Sequence, residues 1–313
     1  MMNIVIATDN NFVQHCCVTM TSVLCHNKDV RFFLFTEGLT ESNTELLKRQ
    51  VEKMGGLLEI CLIDSKIVSK FPMPPAITGI PHITIATYYR LFVEMVLPKT
   101  EDRVLYLDCD IAVTGDLTPF YETDLSNHAL AVVYQNNEWS YTYGSFKRLN
   151  IPEEEGYFNA GVLLINLDFW RKNNVTDRLF DFIKNNYSAI SSHDQDVLNA
   201  VLYKEVLPVN YKWNFTPLFY NREGLKFPNK VDYTKDEMAV VIHFVSVPKP
   251  WECYCKHPQK EEYFKYLDMT PFKGKRPRFD YNWAKFNKYA FKPFLLKLDK
   301  FGLLMKIKNL FKK

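Results

Sequence analysis

Two carboxylates stand two residues apart at the end of an apolar run. The stretch RVLYLDCDIAVTGDL (103–117) passes from four apolar residues directly into Asp108 and Asp110. Residues i and i+2 of an extended chain point to the same side, so both carboxylates can face one point while Cys109 faces away. Two like charges so close are unfavourable unless a cation or a shared proton lies between them. The spacing therefore indicates a site for a divalent cation bound by carboxylates and phosphates.

The same three residues are also typical of a loop. The Asp-Cys-Asp sequence can begin a turn, with Asp110 or Asp116 capping a helix. An Asp-x-Asp pattern alone is a weak signal, so residues elsewhere must decide between a turn and a cation site. His243, at the end of another predicted strand, is one residue of that wider context.

Short apolar runs alternate with helical stretches along the chain. Predicted strands lie at 3–8, 31–36, 57–63, 103–108, 129–134, 161–166 and 238–244. Helical patterns lie at 12–24, 40–54, 86–98, after 168 and at 194–203. This alternation predicts an α/β fold, a single Rossmann-like nucleotide-binding domain with a mainly parallel central sheet. Ligands of such sheets bind beyond the carboxyl ends of the strands. The polar residues that follow the predicted strands are Asp9, Asn11, Asp108, Asp110 and His243.

The composition describes a chain that can bury a large core. It has 313 residues, of which 47% are hydrophobic and 15% aromatic, and this excludes general disorder. Seven cysteines, an odd number without zinc spacing, predict reduced thiols. The start MMNIVIATDNNF lacks a basic leader region, and no apolar stretch reaches the ~20 residues that span a bilayer. We therefore expect a cytoplasmic protein that is soluble or peripheral to a membrane.

Several segments, in order along residues 3–251, together resemble glycosyltransferase family 8. These retaining sugar-nucleotide transferases include bacterial lipooligosaccharide galactosyl- and glucosyltransferases and, more distantly, glycogenin. The segments are NIVIATDNNF (3–12), ITIATYYRLFVEMVLP (83–98), RVLYLDCDIAVTGDL (103–117), YFNAGVLLINLDFWR (157–171), HDQDVLNAVL (193–202), LPVNYKWNF (207–215) and HFVSVPKPW (243–251). An ordered series of motifs is far more specific than Asp-x-Asp alone. The resemblance implies a fold of the GT-A type.

A divalent cation and a UDP-sugar donor are implied by this resemblance. In the family, two aspartates and a late histidine bind the cation, usually Mn²⁺, which also holds the nucleotide diphosphate. Asp108, Asp110 and His243 match those positions. Mixed oxygen and imidazole ligation with room for phosphates suits Mn²⁺, with Mg²⁺ as the alternative. A lone histidine is more often a hydrogen-bonded core residue, but His243 ends a predicted strand six residues before Lys249, which favours a metal ligand.

The resemblance also implies which residues bind the donor. Lys249 matches the family's diphosphate-binding lysine, whose charge would stabilise the departing UDP. Relatives carry glycine where this chain has Ser246, and serine tolerates positive φ less well, so we expect a different loop geometry there. Arg90 is either a surface arginine or a contact to donor sugar and phosphate. The expected donor-binding residues are Ala7, Asp9, Asn11, Arg90, Asp108, Cys109, Asp110, Asn159, Ala160, Asp194, Gln195, Ser246 and Lys249.

Two further segments have both a binding and a structural interpretation. Asp9 and Asn11 match positions that hold the uridine, and either could also cap the helix that follows. In FNAG (158–161), Asn159 and Ala160 are expected to line the donor-sugar pocket, while Gly161 permits close approach of the backbone.

The HDQD segment carries the catalytic expectation. A retaining transfer needs either a nucleophile opposite the leaving phosphate or a front-side path in which attack and departure share one face. Gln195 matches the family position below the anomeric carbon, and its amide oxygen is a poor nucleophile, so we favour the front-side path. The candidate catalytic residues are Gln195, which would stabilise the oxocarbenium-like state, Asp194, which would bind sugar hydroxyls, and Asp110. Asp196 is expected to be structural.

The segment YQNNEWSYTYGSFKRLNIPEEEG (134–156) is polar, aromatic and without clear periodicity. Segments of that length are commonly mobile or functional. We expect it to fold over the donor and help form the acceptor site, with Trp139, Tyr141 and Tyr143 stacking on a sugar.

The C-terminal end differs in charge from the rest of the chain. Residues 283–313 carry nine lysines and one aspartate, a net +8, which leaves −5 for the other 282 residues. The predicted division is a glycosyltransferase domain at 1–270 and a basic tail at 271–313. Two amphipathic helices separated by Gly302 favour binding to an anionic membrane surface. The alternative is a helix packed on the body or on another subunit. Basic charge confined to the tail argues against nucleic acid as a partner.

The sequence thus predicts an Mn²⁺-dependent retaining hexosyltransferase that uses UDP-galactose or UDP-glucose. Its acceptor is expected to be a cell-surface glycan, either lipooligosaccharide, capsule or a protein-linked glycan, reached at the cytoplasmic face of a bacterial membrane. One alternative is a metal-dependent nucleotide hydrolase or nucleotidyltransferase, which would not explain FNAG or HDQD. The other is a non-catalytic sugar-nucleotide-binding protein, for which loss of Asp-x-Asp, Gln195 or Lys249 would be expected.

Overall fold

The computed structural model of the protein describes residues 1–64, 66, 85–142, 144–220, 226–228, 232–233, 237–245, 248–279 and 282–300. Its strands are β1 (Met2–Ala7), β2 (Val30–Thr36), β3 (Leu57–Leu62), β4 (Arg103–Leu107), β5 (Ile111–Val113), β6 (Leu130–Val132), β7 (Val162–Asn166), β8 (Val206–Pro208) and β9 (Val241–His243). Its α-helices are α1 (Val13–His26), α2 (Glu41–Lys53), α3 (Val93–Val96), α4 (Thr118–Tyr121), α5 (Asn137–Thr142), α6 (Ser145–Leu149), α7 (Leu167–Lys172), α8 (Val175–Asn186), α9 (His193–Leu202), α10 (Lys260–Leu267), α11 (Trp283–Phe286) and α12 (Lys292–Lys300). Short 3-10 helices span Ile85–Phe92, Glu153–Glu155, Tyr187–Ala189, Tyr211–Asn214 and Pro217–Tyr220, and a π-helical turn spans Asn287–Phe291.

A seven-stranded sheet has the order β3-β2-β1-β4-β7-β6-β8. The strands β3, β2, β1 and β4 run parallel, and β8 runs parallel to β6, whereas β7 is antiparallel to both of its neighbours. The predicted α/β fold with a mainly parallel sheet is therefore confirmed. The inner strands are nearly continuous apolar runs because helices cover both faces of the sheet.

Helix α1 packs against the sheet beside the strand ends that carry the polar residues. Ten of its residues are buried, which explains why apolar side chains recur through most of VQHCCVTMTSVLCH. Thr40 is the N-cap of helix α2, and its hydroxyl accepts a hydrogen bond from the Asn43 backbone N–H at 3.2 Å. That N-cap satisfies one of the helix's free donors and marks its start.

The strand expected at 238–244 does not join the main sheet. Its residues Val241–His243 pair instead with β5 in a separate two-stranded antiparallel sheet, in which His243 lies opposite Ile111. The reason is that the chain turns at Asp108–Asp110 after β4 and leaves the plane of the main sheet, so that β5 offers a new edge. This correction matters for the site because it places His243 beside Asp110.

Other elements also differ from expectation. The segment expected to be an α-helix at 86–98 is a 3-10 helix over Ile85–Phe92 and α-helical only over Val93–Val96. Residues 88–93 are all buried, so packing on several sides, and not one apolar stripe, determines its form. Strand β8 was not predicted, because three residues ending at Pro208 are too few to show a period.

The end of the chain is helical as far as the structure describes it. Helix α11, the π-helical turn and α12 follow one another over residues 283–300. The expected second tail helix after Gly302 lies outside the described residues. Among the residues that are described, no helix is both long and apolar enough to cross a bilayer. Each of the seven cysteines is described, and each is a free thiol.

Candidate functional site

A cavity of about 1030 Å³ opens at the carboxyl ends of the neighbouring strands β1 and β4. Its position is the one expected for a ligand site in a parallel sheet. Residues from both strand ends, from the 3-10 helix before α3, from the segment after β9 and from the C-terminal helices line it. They are Ala7, Thr8, Asp9, Asn11, Phe12, Ala86, Thr87, Arg90, Tyr106, Asp108, Cys109, Asp110, Lys249, Trp251, Glu252, Ala284, Lys285, Lys288 and Tyr289.

Asp108, Asp110 and His243 come together at this cavity. One potential ligand atom from each lies within 4.8 Å of the other two. The Nε2 atom of His243 is 3.2 Å from Oδ1 of Asp110 and 3.8 Å from Oδ2 of Asp108. Two carboxylates and one imidazole leave coordination positions for phosphate oxygens, so this donor set fits a borderline divalent ion such as Mn²⁺.

The ring of His243 is oriented by a residue that sequence reasoning did not single out. Its Nδ1 atom lies 2.9 Å from Oδ1 of Asn214, and the Asn214 amide donates to Oδ1 of Asn159, also at 2.9 Å. Since Oδ1 of Asn214 accepts, Nδ1 of His243 carries a proton, which leaves Nε2 as the ring nitrogen that faces the carboxylates. Asn214 is completely buried and lies within LPVNYKWNF, but no local feature distinguishes it there.

Gly161 leaves the space that the three side chains occupy. A Cβ atom added at Gly161 would lie 2.2 Å from Cε1 of His243 and 2.6 Å from Oδ2 of Asp108. Its backbone carbonyl also accepts a hydrogen bond from the Asp108 N–H at 2.9 Å. The close approach that the structure shows at Gly161 is to the side chains of His243 and Asp108, and an approach to a donor sugar stays a prediction.

Lys249 forms an ion pair with Asp110 and also donates to the carbonyl of Phe244 at 2.8 Å. Burial favours the neutral acid, but Lys249 and His243 outweigh it and hold the pKa of Asp110 well below its usual range. The backbone N–H of Lys249 donates to Glu252 at 2.7 Å. Asp110 is therefore an anion, and the ammonium that balances it belongs to a side chain long enough to reach a phosphate.

Arg90 is buried and is not a surface arginine. Its guanidinium lies 2.8 Å from Asp108 and 2.9 Å from Asp194, and it packs 4.3 Å from the ring centre of Tyr106. Burial opposes its charge, but Asp108 and Asp194 hold the pKa of Arg90 above its usual value. It also donates to the carbonyl of Ala160. Arg90 thus fixes the positions of two carboxylates at once.

The pKa of Asp194 is shifted in the opposite direction from that of Asp110, although each carboxyl group contacts a cationic side chain. Desolvation raises the pKa of Asp194 to about 7, because it outweighs the attraction of Arg90 and Asp108 adds repulsion. A carboxyl group with that pKa can hold or release a proton near neutrality. Such a group can donate to or accept from a hydroxyl.

Gln195 is held by four hydrogen bonds. Its Oε1 atom accepts from Asn159 at 3.2 Å and from the Ala160 N–H at 3.1 Å. Its Nε2 atom donates to the Tyr157 hydroxyl at 3.2 Å and to Gln135 at 3.4 Å. Asn159 in turn links to Asn214, so a continuous series of hydrogen bonds connects the Gln195 amide to His243.

Among the described residues, the Asp196 carboxylate contacts only groups that hold α9 in place. It is completely buried and binds the guanidinium of Arg148 at 2.7 Å and the hydroxyl of Tyr157 at 2.7 Å. It also accepts from the N–H groups of Ser191 and Ser192, each at 2.6 Å, at the start of α9. This carboxylate secures the helix that carries Asp194 and Gln195.

Asp9 lines the cavity and also closes the turn that precedes α1. Its Oδ1 atom accepts from the N–H groups of Asn11 at 2.8 Å and Phe12 at 3.1 Å. The N-cap position of α1 is Phe12, without a side-chain cap hydrogen bond, so neither Asp9 nor Asn11 caps the helix. Cys109 turns its thiol toward the carbonyl of Ala7 at 3.1 Å, which ties the two strand ends together.

The predicted donor-binding residues divide between two positions. Those in the described lining of the cavity are Ala7, Asp9, Asn11, Arg90, Asp108, Cys109, Asp110 and Lys249. Four others are absent from that described lining: Ala160 and Asp194 contact the lining residue Arg90, Gln195 bonds to Ala160, and Asn159 bonds to Gln195. The predicted metal ligand His243 is also absent from it and contacts the lining residue Asp110. Ser246 lies outside the described residues, and its expected effect on loop geometry stays a prediction.

Some lining residues were missed. Trp251 and Glu252 follow Lys249 closely in sequence, and that closeness could have identified them as lining residues. Lys285, Lys288 and Tyr289 belong to the tail, more than thirty residues after Lys249, and no local pattern connects them to the cavity.

The segment 134–156 contains two short helices, α5 and α6, where no periodicity was expected. Tyr141 packs edge-on against Phe146 and donates to Glu153, both within its own segment. The Trp139 side chain and Tyr143 are not described. No residue of this segment appears in the described lining of the cavity, and its role at an acceptor site stays a prediction.

Comparison with solved structures defines the class of protein. The galactosyltransferase LgtC, solved in complex with donor and acceptor sugar analogues, matches with a TM-score of 0.77 and 26% identity over 90% of this chain and 99% of that chain. The fold is that of a GT-A glycosyltransferase, and the protein is a glycosyltransferase.

Comparison of sequences defines the family. The model of glycosyl transferase family 8 matches residues 3–255, and the chain belongs to that family, as predicted. General stress protein A of Bacillus subtilis (strain 168) is 28% identical over 280 residues, which cover 86% of this chain and 94% of the relative. The lipopolysaccharide 1,3-galactosyltransferase of Salmonella typhimurium (strain LT2) is 27% identical over 275 residues, 86% of this chain and 79% of the relative.

Proposed function

We propose that this glycosyltransferase moves galactose or glucose from a UDP-sugar to a cell-surface glycan with retention of anomeric configuration. The observation that carries the proposal is the convergence of Asp108, Asp110 and His243 within 4.8 Å at a cavity that Lys249 and Arg90 also line or border. Carboxylates and imidazole suit Mn²⁺, and cationic side chains beside them suit a diphosphate.

Asp108, Asp110 and His243 would hold the metal ion, which when bound supplies charge to stabilise the departing diphosphate. The contact of Nδ1 with Asn214 leaves Nε2 of His243 as the ring nitrogen available to the ion. Arg90 keeps Asp108 in place by an ion pair at 2.8 Å. Mg²⁺ is the alternative ion, and comparing the two is part of the first experiment.

Lys249 supplies a mobile positive charge beside the ligand carboxylates. In the structure its ammonium contacts Asp110, so binding of a diphosphate lets it exchange a carboxylate for a phosphate partner. Charge on the leaving UDP grows as the glycosidic bond breaks, so an ammonium in contact with the diphosphate stabilises the transition state more than the ground state.

Gln195 would stabilise positive charge at the anomeric carbon on a front-side path. Both lone-pair directions of its Oε1 atom are used by Asn159 and Ala160, which makes the amide a rigid dipole and a poor nucleophile. A UDP oxygen would accept the proton of the acceptor hydroxyl. Asp194, with a pKa of about 7, would bind sugar hydroxyls.

The test is release of UDP from UDP-galactose, UDP-glucose, UDP-N-acetylglucosamine and UDP-N-acetylgalactosamine, each with Mn²⁺, with Mg²⁺ and with chelator. We expect turnover with one of the first two donors, greater with Mn²⁺, and none with chelator. A nucleotide hydrolase would instead release UDP or UMP equally with and without a glycan acceptor. Turnover that persists undiminished in chelator would overturn the metal assignment.

A Gln195→Ala variant tests the catalytic proposal. We expect kcat to fall more than tenfold with donor affinity retained, because the residue acts on the transition state. Asn186→Ala, a substitution on the surface of α8, serves as the control. A variant that keeps more than a tenth of wild-type kcat would remove Gln195 from the chemistry.

The tail supports a membrane-associated acceptor, at the cytoplasmic face of a bacterial membrane. Phe294 and Leu296 in α12 are 57% and 67% exposed, and lysines surround them in sequence. Exposed apolar residues within a basic helix favour an anionic lipid surface. A lipid-linked glycan such as lipooligosaccharide would be presented there, and a relative acts on lipopolysaccharide.

Vesicle sedimentation tests this part of the proposal. Replacing Phe294 and Leu296 by serine should lower binding to vesicles with anionic lipid at least several-fold, since each side chain loses apolar area that would be buried. Met238→Ser, which changes an exposed residue far from the tail in sequence, is the matched control. Equal sedimentation of all three proteins would show that the tail does not anchor the enzyme.

A further inference from the structure

The beginning of the basic tail forms part of the wall of the candidate donor cavity. Ala284, Lys285, Lys288 and Tyr289 line the same cavity as Asp108 and the other strand-end residues. These four positions come from α11 and from the π-helical turn after it. The tail residues are therefore neighbours of the proposed diphosphate site as well as candidates for lipid contact.

Aromatic and polar contacts hold this part of the tail on the body. The ring of Tyr254 lies 6.4 Å from that of Phe286 and 6.5 Å from that of Tyr289, centre to centre. The ammonium of Lys256 donates to the carbonyl of Tyr289 at 3.3 Å. Each ring pair adds to the area buried between this part of the tail and the rest of the protein, which gives this part of the tail a defined position.

Glu252 connects this segment to the loop that carries Lys249. One carboxylate oxygen accepts from the backbone N–H of Lys249 at 2.7 Å, and the other lies 3.9 Å from the ammonium of Lys285. One side chain thus contacts both a tail lysine and the backbone of the proposed diphosphate ligand. The tail and the loop that carries Lys249 thus share Glu252 as a contact residue.

The charges of the tail lysines suit an anion in the cavity. Arg90 and Lys249 are already paired with carboxylates, whereas Lys288 is exposed and its ammonium lies 5.0 Å from the ring centre of Tyr289. The ammonium of Lys285 lies 3.9 Å from the Glu252 carboxylate, and both side chains are partly exposed. An exposed ammonium can turn to a phosphate at little desolvation cost.

We propose that residues 282–291 are the outer wall of the donor site, and that Lys285 and Lys288 bind the diphosphate of the nucleotide together with Lys249. This inference rests on the proposed function, since it needs a nucleoside diphosphate in the cavity. It makes the first part of the tail a substrate-binding element, distinct from the exposed apolar surface of α12.

Calorimetric titration with UDP and with uridine, both with Mn²⁺, tests the assignment. The Lys285→Ala/Lys288→Ala double variant should bind UDP about tenfold more weakly, as two partly exposed charge-assisted contacts allow, and uridine as well as wild type does. The difference should shrink at high NaCl because salt screens exposed charges. Lys297→Ala, in the same tail but outside the cavity lining, is the charge-matched control and should bind like wild type.

The outcomes separate this inference from the proposed function. Wild type that does not bind UDP would overturn both. UDP binding that is the same in wild type and in the double variant would overturn the inference alone. Equal losses for UDP and uridine would overturn the assignment to the diphosphate.

Limited proteolysis gives a readout that does not depend on activity or on the lysine contacts. Tyr254→Ala removes an anchor of the segment without changing a lining residue, so chymotryptic cleavage after Tyr289 should become several-fold faster and UDP affinity should fall. UDP with Mn²⁺ should slow this cleavage in wild type. Cleavage unaffected by UDP in wild type and by Tyr254→Ala would contradict a docked, ligand-contacting wall. Thermal melting of the variant separates undocking from global unfolding.

Discussion

At the scale of single residues, the candidate metal site depends on groups that carry no metal-binding chemistry of their own. Asn214 sets the tautomer of His243, and the missing side chain of Gly161 leaves room for His243 and Asp108. Such supporting residues determine whether ligands of the right type are also in the right place. Three predictions follow from contacts at this scale.

Gly161→Ala should remove metal-dependent activity. The new methyl group would lie 2.2 Å from the imidazole and 2.6 Å from a ligand carboxylate, so the ligands must move apart. We expect Mn²⁺ affinity to fall at least tenfold, measured by calorimetry, while overpacking destabilises the fold by about 1–3 kcal/mol. Gly115→Ala is the control, since the contacts of its methyl group would be to the Val240 side chain, at 3.3 Å, and to neither His243 nor a ligand carboxylate. Normal Mn²⁺ binding by Gly161→Ala would contradict the site.

Asn214→Ala should weaken Mn²⁺ binding about 10- to 100-fold, as loss of a hydrogen bond to a metal-binding histidine commonly does. Without the acceptor, the His243 proton is free to move to Nε2, which then cannot bind a cation. Titration of Mn²⁺ followed by electron paramagnetic resonance measures the effect. An unchanged dissociation constant would show that His243 is oriented by other contacts.

His15 should make the protein less stable as the pH falls. It stacks 3.7 Å from the ring of Trp251 and binds the Tyr263 hydroxyl, and burial lowers its pKa from 6.5 to about 4. Below pH 6.5 the unfolded chain gains a proton at His15 that the folded chain does not. The free energy of unfolding should therefore fall by up to about 1.4 kcal/mol per pH unit between pH 6.5 and 4 from this residue. Urea titrations of wild type and His15→Gln should show a smaller slope in the variant; equal slopes would contradict the assignment.

At the scale of elements, short strands and helices position more of the site residues than the long strands of the main sheet do. The three-residue strands β5 and β9 place His243 opposite Ile111 and hence beside Asp110. Helix α9 presents Asp194 and Gln195, and its start is held by the buried carboxylate of Asp196. Elements that are too short to be stable alone are thus fixed by contacts at their ends.

Arg148→Ala tests the support of α9. Loss of the Arg148 guanidinium leaves the buried carboxylate of Asp196 without its ion-pair partner. This should lower the free energy of unfolding by about 2–3 kcal/mol. Because Asp196 also binds Tyr157, which contacts Gln195, we expect kcat to fall more than KM for the donor changes. Arg49→Ala, which removes an exposed pair with Glu45, should change stability by less than about 0.5 kcal/mol. Equal effects of both substitutions in urea unfolding would be evidence against the assigned role.

At the scale of the whole molecule, the site joins parts of the chain that are far apart in sequence. The strand ends of β1 and β4, a 3-10 helix, the segment after β9 and the tail all line one cavity. A ligand in that cavity therefore stabilises contacts between these parts as well as binding to each of them. Ligand binding should be visible as stability of the entire fold.

UDP with Mn²⁺ should raise the unfolding temperature of the protein. Ligand at 100 times its dissociation constant adds about 2.7 kcal/mol to the folded state. Chelator should remove this increase, and Asp110→Asn should show little of it, since the variant lacks one ligand carboxylate. Differential scanning fluorimetry gives the measurement. An increase that survives chelation would mean that the nucleotide binds without the metal ion.

The sequence by itself determined the alternation of strands and helices, the family, and the residue types of the site. Apolar runs and strand-end carboxylates such as Asp108 are local patterns, and local patterns follow from residue order alone. Only the tertiary structure decided that Val241–His243 leaves the main sheet, that Arg90 is buried between Asp108 and Asp194, and that the tail reaches the cavity. These depend on pairings between residues far apart in the chain. Their energies come from the burial and hydrogen bonding of both partners together, and neither partner's local sequence contains that information.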